Sequence, residues 1–309
     1  MKHVAVSIGD LNGVGFEIAL AAHESVKKVA CPHYCVSRAM AERAASLLGR
    51  PLPADFECIG NGALFEIRPG RVDAIAGRAS FDSFVQAVDM AVEKEVDAVV
   101  TLPVHKAAWM SVGLPYKGHT DYLRERFGPS AIMMLGRPGL YVALFTDHLP
   151  LRFVPGAVTL EALSDFLTRF GRLCPEGPIG VLGLNPHAGD RGAIGDEDAV
   201  VSEAIDAANR ALGRKLLEGP LVPDTAFTPK MRGRYGFYVA MYHDQGLAPL
   251  KALAFDESIN VTLGLPIMRT SVDHGTAFDI AYQGQNPSLK SYLNAIEVAA
   301  KGLWQNRAV

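Results

Sequence analysis

The sequence lacks the marks of several protein classes. No apolar run approaches the roughly 18 residues that a membrane helix needs, so no helical span is expected. There are only four cysteines, Cys31, Cys35, Cys58 and Cys174, and their spacing matches no disulfide scaffold. That usage points to a reducing compartment, the cytoplasm. Cys31-Pro32-His33-Tyr34-Cys35 sets a histidine between two thiols, but no second ligand pair follows nearby, so these thiols read as buried or idle side chains and not as a zinc site. Neither sign of charge dominates: the formal net charge is −3 and the pI near 6.3. That excludes the basic footprint of a nucleic-acid binder. Repeats, low-complexity tracts and an obvious linker are missing as well. Met1-Lys2-His3-Val4 runs straight into a strand-like segment, so no signal peptide is expected.

What is present is length and apolar content. The 309 residues are 49% hydrophobic, enough for two lobes. Short apolar runs alternate with amphipathic stretches, the pattern of an α/β protein. Strands are predicted at 4–8, 97–102, 131–135, 141–145, 179–184, 237–242 and 259–263. Helices are predicted at 15–28, 80–95, 159–170, 196–212, 274–282 and 287–303. Phe81, Phe84, Val85, Val88 and Val92 form the helical stripe of the second. Thr159 is placed to cap the third, and acidic residues suit the first turn of the fourth.

Three segments share one design. Tyr141–Phe145 leads to Thr146-Asp147-His148, Ile179–Leu184 leads to Asn185-Pro186-His187, and Phe237–Tyr242 leads to His243-Asp244. Ligands in α/β sheets sit outside the carboxyl ends of the strands, so His148, His187 and His243 can converge there. Neutral imidazole is a common transition-metal ligand. Three protein ligands with an open position are the pattern of a catalytic metal site. Asp244 is then a partner that orients a ligand. Each histidine alone reads first as a loop or core residue bonded to backbone; three at one topological position favour a shared cation.

A second set points to phosphate. Gly118-His119-Thr120-Asp121 opens a helix, with Thr120 as a possible N-cap, and free backbone N–H groups there favour an anion. Lys251, Asn260 and Arg269 follow the third histidine, and the two cations can make charge-assisted bonds to phosphate oxygens. A solvated face is the alternative, against which stands the apolar company of Arg269 in Leu263–Thr270. The N-terminal Gly9-Asp10-Leu11-Asn12-Gly13-Val14-Gly15 is spaced G-x3-G-x-G and is not the dinucleotide fingerprint. It reads as a tight turn, with Asp10 as a candidate carboxylate. Val104-His105-Lys106 follows a strand end and is either a second lining segment or an exposed turn.

Gly118-His119-Thr120, Thr146–Arg152, Gly183–Gly189, Pro223-Asp224-Thr225, Met241–Gly246, Asn260–Pro266 and Arg269–Ala277 resemble the 4-hydroxythreonine-4-phosphate dehydrogenase family over nearly the whole chain. The resemblance implies a three-layer α/β/α, two-lobed, isocitrate/isopropylmalate dehydrogenase-like fold with an interdomain cleft. One lobe would hold 1–110 plus 255–309 with the cofactor loop, and 111–254 would form the metal, substrate and dimerisation lobe. It implies a homodimer with the site at the subunit interface, one divalent cation (Zn2+, Mg2+ or Co2+) on His148, His187 and His243, and NAD or NADP. His119, Thr120, Lys251, Asn260 and Arg269 would contact the phosphorylated substrate. His274, Gly275, Thr276, Ala277 and Asp279 resemble the adenine-side loop of isopropylmalate dehydrogenases. Ser7–Gly15 departs from the family's N-terminal run, and 51–77 is shorter than usual.

The implied reaction is oxidation of 4-phosphooxy-L-threonine to a β-keto acid, which loses CO2 to give 3-amino-2-oxopropyl phosphate in pyridoxine 5′-phosphate biosynthesis. Lys251 or an aspartate near the metal, Asp244 or Asp224, would be the base. The alternatives are a paralogue oxidising a phosphorylated threonate or erythronate, a metal-dependent hydrolase or acyl/phosphoryl transferase, and a non-catalytic phosphometabolite sensor.

Overall fold

A computed structural model describes residues 1–128 and 131–304. The last five residues of the expected N- and C-terminal lobe, 305–309, lie outside the described residues. In chain order the elements are β1 (Lys2–Ser7), α1 (Gly15–Val26), β2 (Ala30–Cys35), α2 (Arg38–Leu47), α3 (Ala74–Val92), β3 (Ala98–Thr101), α4 (Lys106–Ser111) and α5 (His119–Phe127). There follow β4 (Ile132–Arg137), β5 (Leu140–Leu144), α6 (Val154–Ala157), α7 (Leu160–Leu173), β6 (Ile179–Leu182), α8 (Glu197–Leu212), β7 (Leu217–Leu221) and α9 (Pro229–Arg234). The chain closes with β8 (Phe237–Ala240), α10 (His243–Ala254), β9 (Ile259–Leu263), β10 (Met268–Val272) and α11 (Lys290–Lys301).

Two compact units result. One holds Met1–Ala131 and the described residues from Ile259 onward; the other holds Ile132–Ser258. The segment carrying α4 and α5 packs with the first unit, where Trp109 and Tyr122 set their rings against Phe81 and Phe84 of α3, mostly edge-on.

In the first unit the strand order is β2-β1-β3-β10-β9, parallel except for β9. Helices α3 and α11 pack on it. The helical stripe of α3 is real at Phe81, Phe84 and Val88, which are buried, whereas Val92 is 41% exposed. The helix starts earlier than its apolar period because the Asp73 side chain accepts from the Ile75 and Ala76 amides, satisfying two of the otherwise unpaired first-turn donors. In the second unit a hairpin, β4-β5, continues into parallel β8, β6 and β7. Its core joins Val142, Leu144, Tyr238, Ala240, Leu247 and Leu250. Thr159 caps α7 as expected, accepting from Ala162 N.

Two expectations fail. Residues 274–282 form turns, not a helix, with positive φ at Ala277 (43°) and Tyr282 (58°). Tertiary bonds to the N-terminal loop, described below, override the local pattern. The N-cap of α5 is Gly118, and Thr120 lies inside the helix. Cys31 and Cys35 sit four residues apart on one extended strand, roughly 13 Å at strand rise, so they cannot share a metal. Among the described residues no helix is long and apolar enough to cross a membrane.

Candidate functional site

In the second unit, β5, β8 and β6 are parallel neighbours, so their carboxyl ends lie side by side. His148 follows β5, His187 follows β6, and His243 opens α10 after β8. The segments are tied together. The Met241 carbonyl accepts from the Thr146 hydroxyl at 2.7 Å. Gln245 donates to the Gly183 carbonyl at 2.6 Å and accepts from Met241 N at 2.7 Å.

The His148 and His243 rings stand 5.6 Å apart, tilted by 36°. Two imidazoles bound tetrahedrally at metal–nitrogen distances of about 2.0–2.1 Å would place their ring centroids roughly 5–5.5 Å apart, so this pair fits one cation. Asp244 Oδ1 lies 2.7 Å from His243 Nδ1. A carboxylate there fixes the ring and leaves Nε2 as the ligand atom.

His187 is held differently. Its φ is 54°, and Ala188 (52°), Gly189 (75°), Asp190 (41°) and Arg191 (57°) continue a left-handed turn. Such backbone costs roughly 1–2 kcal/mol per L-residue and persists only where its surroundings enforce it. Asp198, buried at the start of α8, anchors the segment that leads into this turn. Its carboxylate accepts from Leu184 N (2.7 Å), Asn185 N (3.0 Å) and Asn185 Nδ2 (3.0 Å). Among the described residues, no three ligand atoms within 4.8 Å of one another include His187 with the other two histidines. One chain therefore brings together two of the three.

The triad that does meet that distance is His23, Glu24 and Asp55. It makes a poor cation site. The Lys27 ammonium already bridges Glu24 and Asp55, and the His23 nitrogens are engaged by Tyr34 Oη (3.0 Å) and Asp55 (3.3 Å).

The first unit holds the anion-type residues. Arg269 on β10 is 2% exposed. Its Nη2 donates to Thr101 Oγ1 at 2.7 Å and its Nη1 to Thr262 Oγ1 at 3.0 Å. Its Nε has no partner, and no carboxylate pairs with it among the described residues. The pairing register explains the neighbours: Arg269 stands opposite Val99, two residues before Thr101, and Thr270 stands opposite Val261, beside Thr262. Burial pushes the guanidinium down to about 9, so it remains charged at neutral pH. A buried cation held only by hydroxyls is costly unless an anion completes it.

His119 lies at the start of α5 with its ring edge-on to Phe84 (4.6 Å) and Trp109 (5.5 Å). Burial, and then the nearby Arg269 charge, hold it well below the usual histidine range, so it is a neutral donor or acceptor. Its Nε2 and the Oδ1 of Asn260 on β9 are buried without partners. Thr120 follows on the first turn of α5, which has no side-chain cap. Orphaned polar atoms around an uncompensated arginine fit a phosphate.

The remaining expected residues are spread more widely. Lys251 is on α10, its Nζ 5.4 Å from the centre of the Phe255 ring, and two turns, about 12 Å, beyond His243. Asp224 is exposed in the turn after β7. His274–Asp279 lies in the turn-rich loop after β10, where His274 Nε2 is buried without a partner. His105 stacks on Phe278 at 4.8 Å and 13°. Asp10 is fully buried, and its burial, with Asp73 nearby, lifts its carboxyl to about 6 despite the Asn12 amide.

Sequence reasoning missed Thr101, Thr262, Trp109, Asp198 and Gln245. Asp198 had a signal, an acid in a first helical turn, but a dipole explanation accounted for it. A cavity of about 580 Å³ on the other flank of α3 is walled by Val36, Met40, Ala79 and Ser83. None of the expected site residues lines it. Ser83 and Gln86, two of its polar groups, are already bonded to the Cys35 and Ile59 carbonyls.

The fold and these two clusters define an α/β protein with histidines at strand ends in one unit and a buried arginine clamp in the other. The family model described as pyridoxal phosphate biosynthetic protein PdxA matches residues 19–299, and the chain belongs to that family. It is 52% identical over 296 residues to 4-hydroxythreonine-4-phosphate dehydrogenase of Sulfurimonas denitrificans, covering 96% of each chain. It is 49% identical over 302 residues to the protein of that name from Campylobacter fetus, covering 97% of this chain and 98% of that one. The solved 4-hydroxythreonine-4-phosphate dehydrogenase of Klebsiella pneumoniae superposes with a TM-score of 0.82 at 34% identity, covering 98% of both. The expected isocitrate/isopropylmalate dehydrogenase-like fold class stands with it.

Proposed function

We propose that the chain is an NAD(P)- and divalent-metal-dependent oxidoreductase. It converts 4-phosphooxy-L-threonine to 2-amino-3-oxo-4-phosphooxybutanoate, which loses CO2 to 3-amino-2-oxopropyl phosphate. The observation that carries this reading is the buried, acid-free Arg269 beside His119, in a chain of this family.

Arg269, His119, Asn260 and the first turn of α5 at Thr120 hold the substrate phosphate, and Lys251 adds a second cation. This remote binding energy orients the carbon to be oxidised. His148, His187 and His243 would hold the cation, with Asp244 orienting His243, and a cation there would supply Lewis-acid chemistry at the reacting hydroxyl and the new carbonyl. His274, Gly275, Thr276, Ala277 and Asp279 would hold the dinucleotide, which would supply the hydride acceptor. Lys251, Asp244 or Asp224 takes the hydroxyl proton.

The chain works as a homodimer. One copy supplies His148 and His243 and the second copy supplies His187, which accounts for two histidines meeting at 5.6 Å while the third stands on a separate strained turn. The four free thiols suit a cytoplasmic enzyme.

The test is subunit complementation. His187→Ala and His243→Ala are each expected to lose bound metal and NAD(P)+ reduction. Mixed and allowed to exchange subunits, they should regain about a quarter of the parent rate, since half the dimers are mixed and each mixed dimer has one intact site. Full metal and turnover in either single variant would sink the three-histidine site. Inactive variants that never complement would sink its division between subunits.

A further inference from the structure

The N-terminal loop Gly9–Gly15 has no role in the reaction above, yet it is among the most heavily bonded segments of the first unit. Asp10 N donates to the Pro103 carbonyl at 2.9 Å. The Asp10 carboxylate then accepts from Asn12 N at 2.9 Å, and the Asp10 carbonyl from Gly13 N at 3.0 Å. These bonds turn the chain so that Asn12 faces the Arg68–Arg71 turn, itself closed by Arg71 N on the Arg68 carbonyl at 3.1 Å. Asn12 is fully buried, and both ends of its carboxamide are used. Oδ1 accepts from Arg68 N at 2.8 Å, and Nδ2 donates to the Arg71 carbonyl at 3.0 Å. Its own carbonyl accepts from Gly70 N at 2.9 Å.

Both partners of this bonded pair touch the 274–282 loop. Val14 N donates to the Thr276 carbonyl at 3.0 Å, and Tyr282 Oη donates to the Leu11 carbonyl at 2.9 Å. At Gly13 a Cβ would stand 2.7 Å from the Thr276 oxygen. At Gly70 it would stand 2.6 Å from the Phe278 oxygen. Side chains are excluded at both contacts, and three backbones close on one another with Asn12 at the junction. The loop needs such external support, since Ala277 and Tyr282 both have positive φ.

We infer that Asn12 is a positioning residue for the dinucleotide. It locks the Arg68–Arg71 turn against the N-terminal loop, and the two together hold 274–282 in its binding shape. The inference rests on the reading of 274–282 as the cofactor loop. A preformed loop binds more tightly because its ordering cost is met before the ligand arrives.

The test uses Asn12→Ala and Asn12→Asp in the full-length protein. Asn12→Asp keeps the size and the Arg68 acceptor but sets a carboxylate oxygen against the Arg71 carbonyl. Three quantities are measured: deuterium uptake of peptides covering 274–282, the NADH dissociation constant by fluorescence, and the KM values for dinucleotide and phosphorylated substrate. We expect faster exchange confined to 68–71 and 274–282. The NADH dissociation constant and dinucleotide KM should rise about tenfold, with substrate KM within about twofold. Unchanged exchange in 274–282, or loss of both affinities together with exchange rising everywhere, would overturn the inference. His274→Ala separates this from the parent reading. If it weakens NADH binding while the Asn12 variants do not, the latch is wrong and the cofactor loop stands. If it leaves NADH binding intact, the cofactor loop itself is misassigned and the latch falls with it.

Discussion

Arg269 and His148 are both candidate site residues, but they live under opposite conditions. Arg269 is 2% exposed and fixed by two threonine hydroxyls; His148 has a side chain 66% exposed and His243 one 39% exposed. The arginine cluster is held as a scaffold by neighbouring strands and their hydroxyls. The histidine cluster is open, and its third member stands on a strained turn of its own. Burial prearranges the first cluster, so the protein bears its cost whether or not substrate is present. On the proposed reading, the second cluster would take its order from a cation and a second subunit.

Removing Arg269 tests this contrast with the largest effect. Arg269→Met should lower kcat/KM for the phosphorylated substrate by about 10³-fold, as loss of a buried charge partner does. Turnover of the dephosphorylated analogue should change little. Without substrate the variant should unfold at the same denaturant concentration as the parent or a higher one, since an uncompensated buried charge is replaced by an apolar chain of similar length. A marked loss of stability would mean that Arg269 is primarily structural.

Asp244→Asn tests the open cluster. The Asp244 side chain is 84% exposed, so folding of the metal-free protein should be unaffected. Metal affinity, read by competition with a chelator, should fall about 10- to 100-fold. An unchanged affinity would show that Asp244 does not orient His243 for metal.

Asp10 gives the most pH-dependent effect. A carboxyl raised in the folded state adds stability that is complete below its unfolded pKa and is lost as the pH rises through its folded value. For Asp10 these are 3.8 and about 6, so the window runs from about pH 4 to pH 6, with a change on the order of 3 kcal/mol. Asp10→Asn keeps an acceptor for Asn12 N and removes that slope. Denaturation curves should show the variant gaining on the parent as the pH rises from about 4 to 7. An unchanged slope would mean that Asp10 titrates normally.

Much of this was legible because it depends on short-range pattern. Apolar runs ending in histidine mark strand ends, and strands β5, β8 and β6 carry them to one edge. The local pattern of 274–282 permits a helix, whereas Val14 and Tyr282 impose turns through partners far away in sequence. The threonines beside Arg269 were invisible for a similar reason. Thr101 lies 168 residues from Arg269, and only strand pairing makes them neighbours. Asp198 was visible but ambiguous, because an acid in a first helical turn suits the helix dipole whether or not it also accepts from a distant loop.

The sequence by itself determined the α/β alternation, the family, and the three histidines at strand ends. These follow from periodicity and from residue blocks that carry their meaning locally. Only the tertiary structure decided that Arg269 is buried without an acid, that His148 and His243 meet while His187 stands on a left-handed turn, and that the N-terminal glycine loop supports the late one. Those facts depend on strand register, burial and backbone approach between residues far apart in the chain.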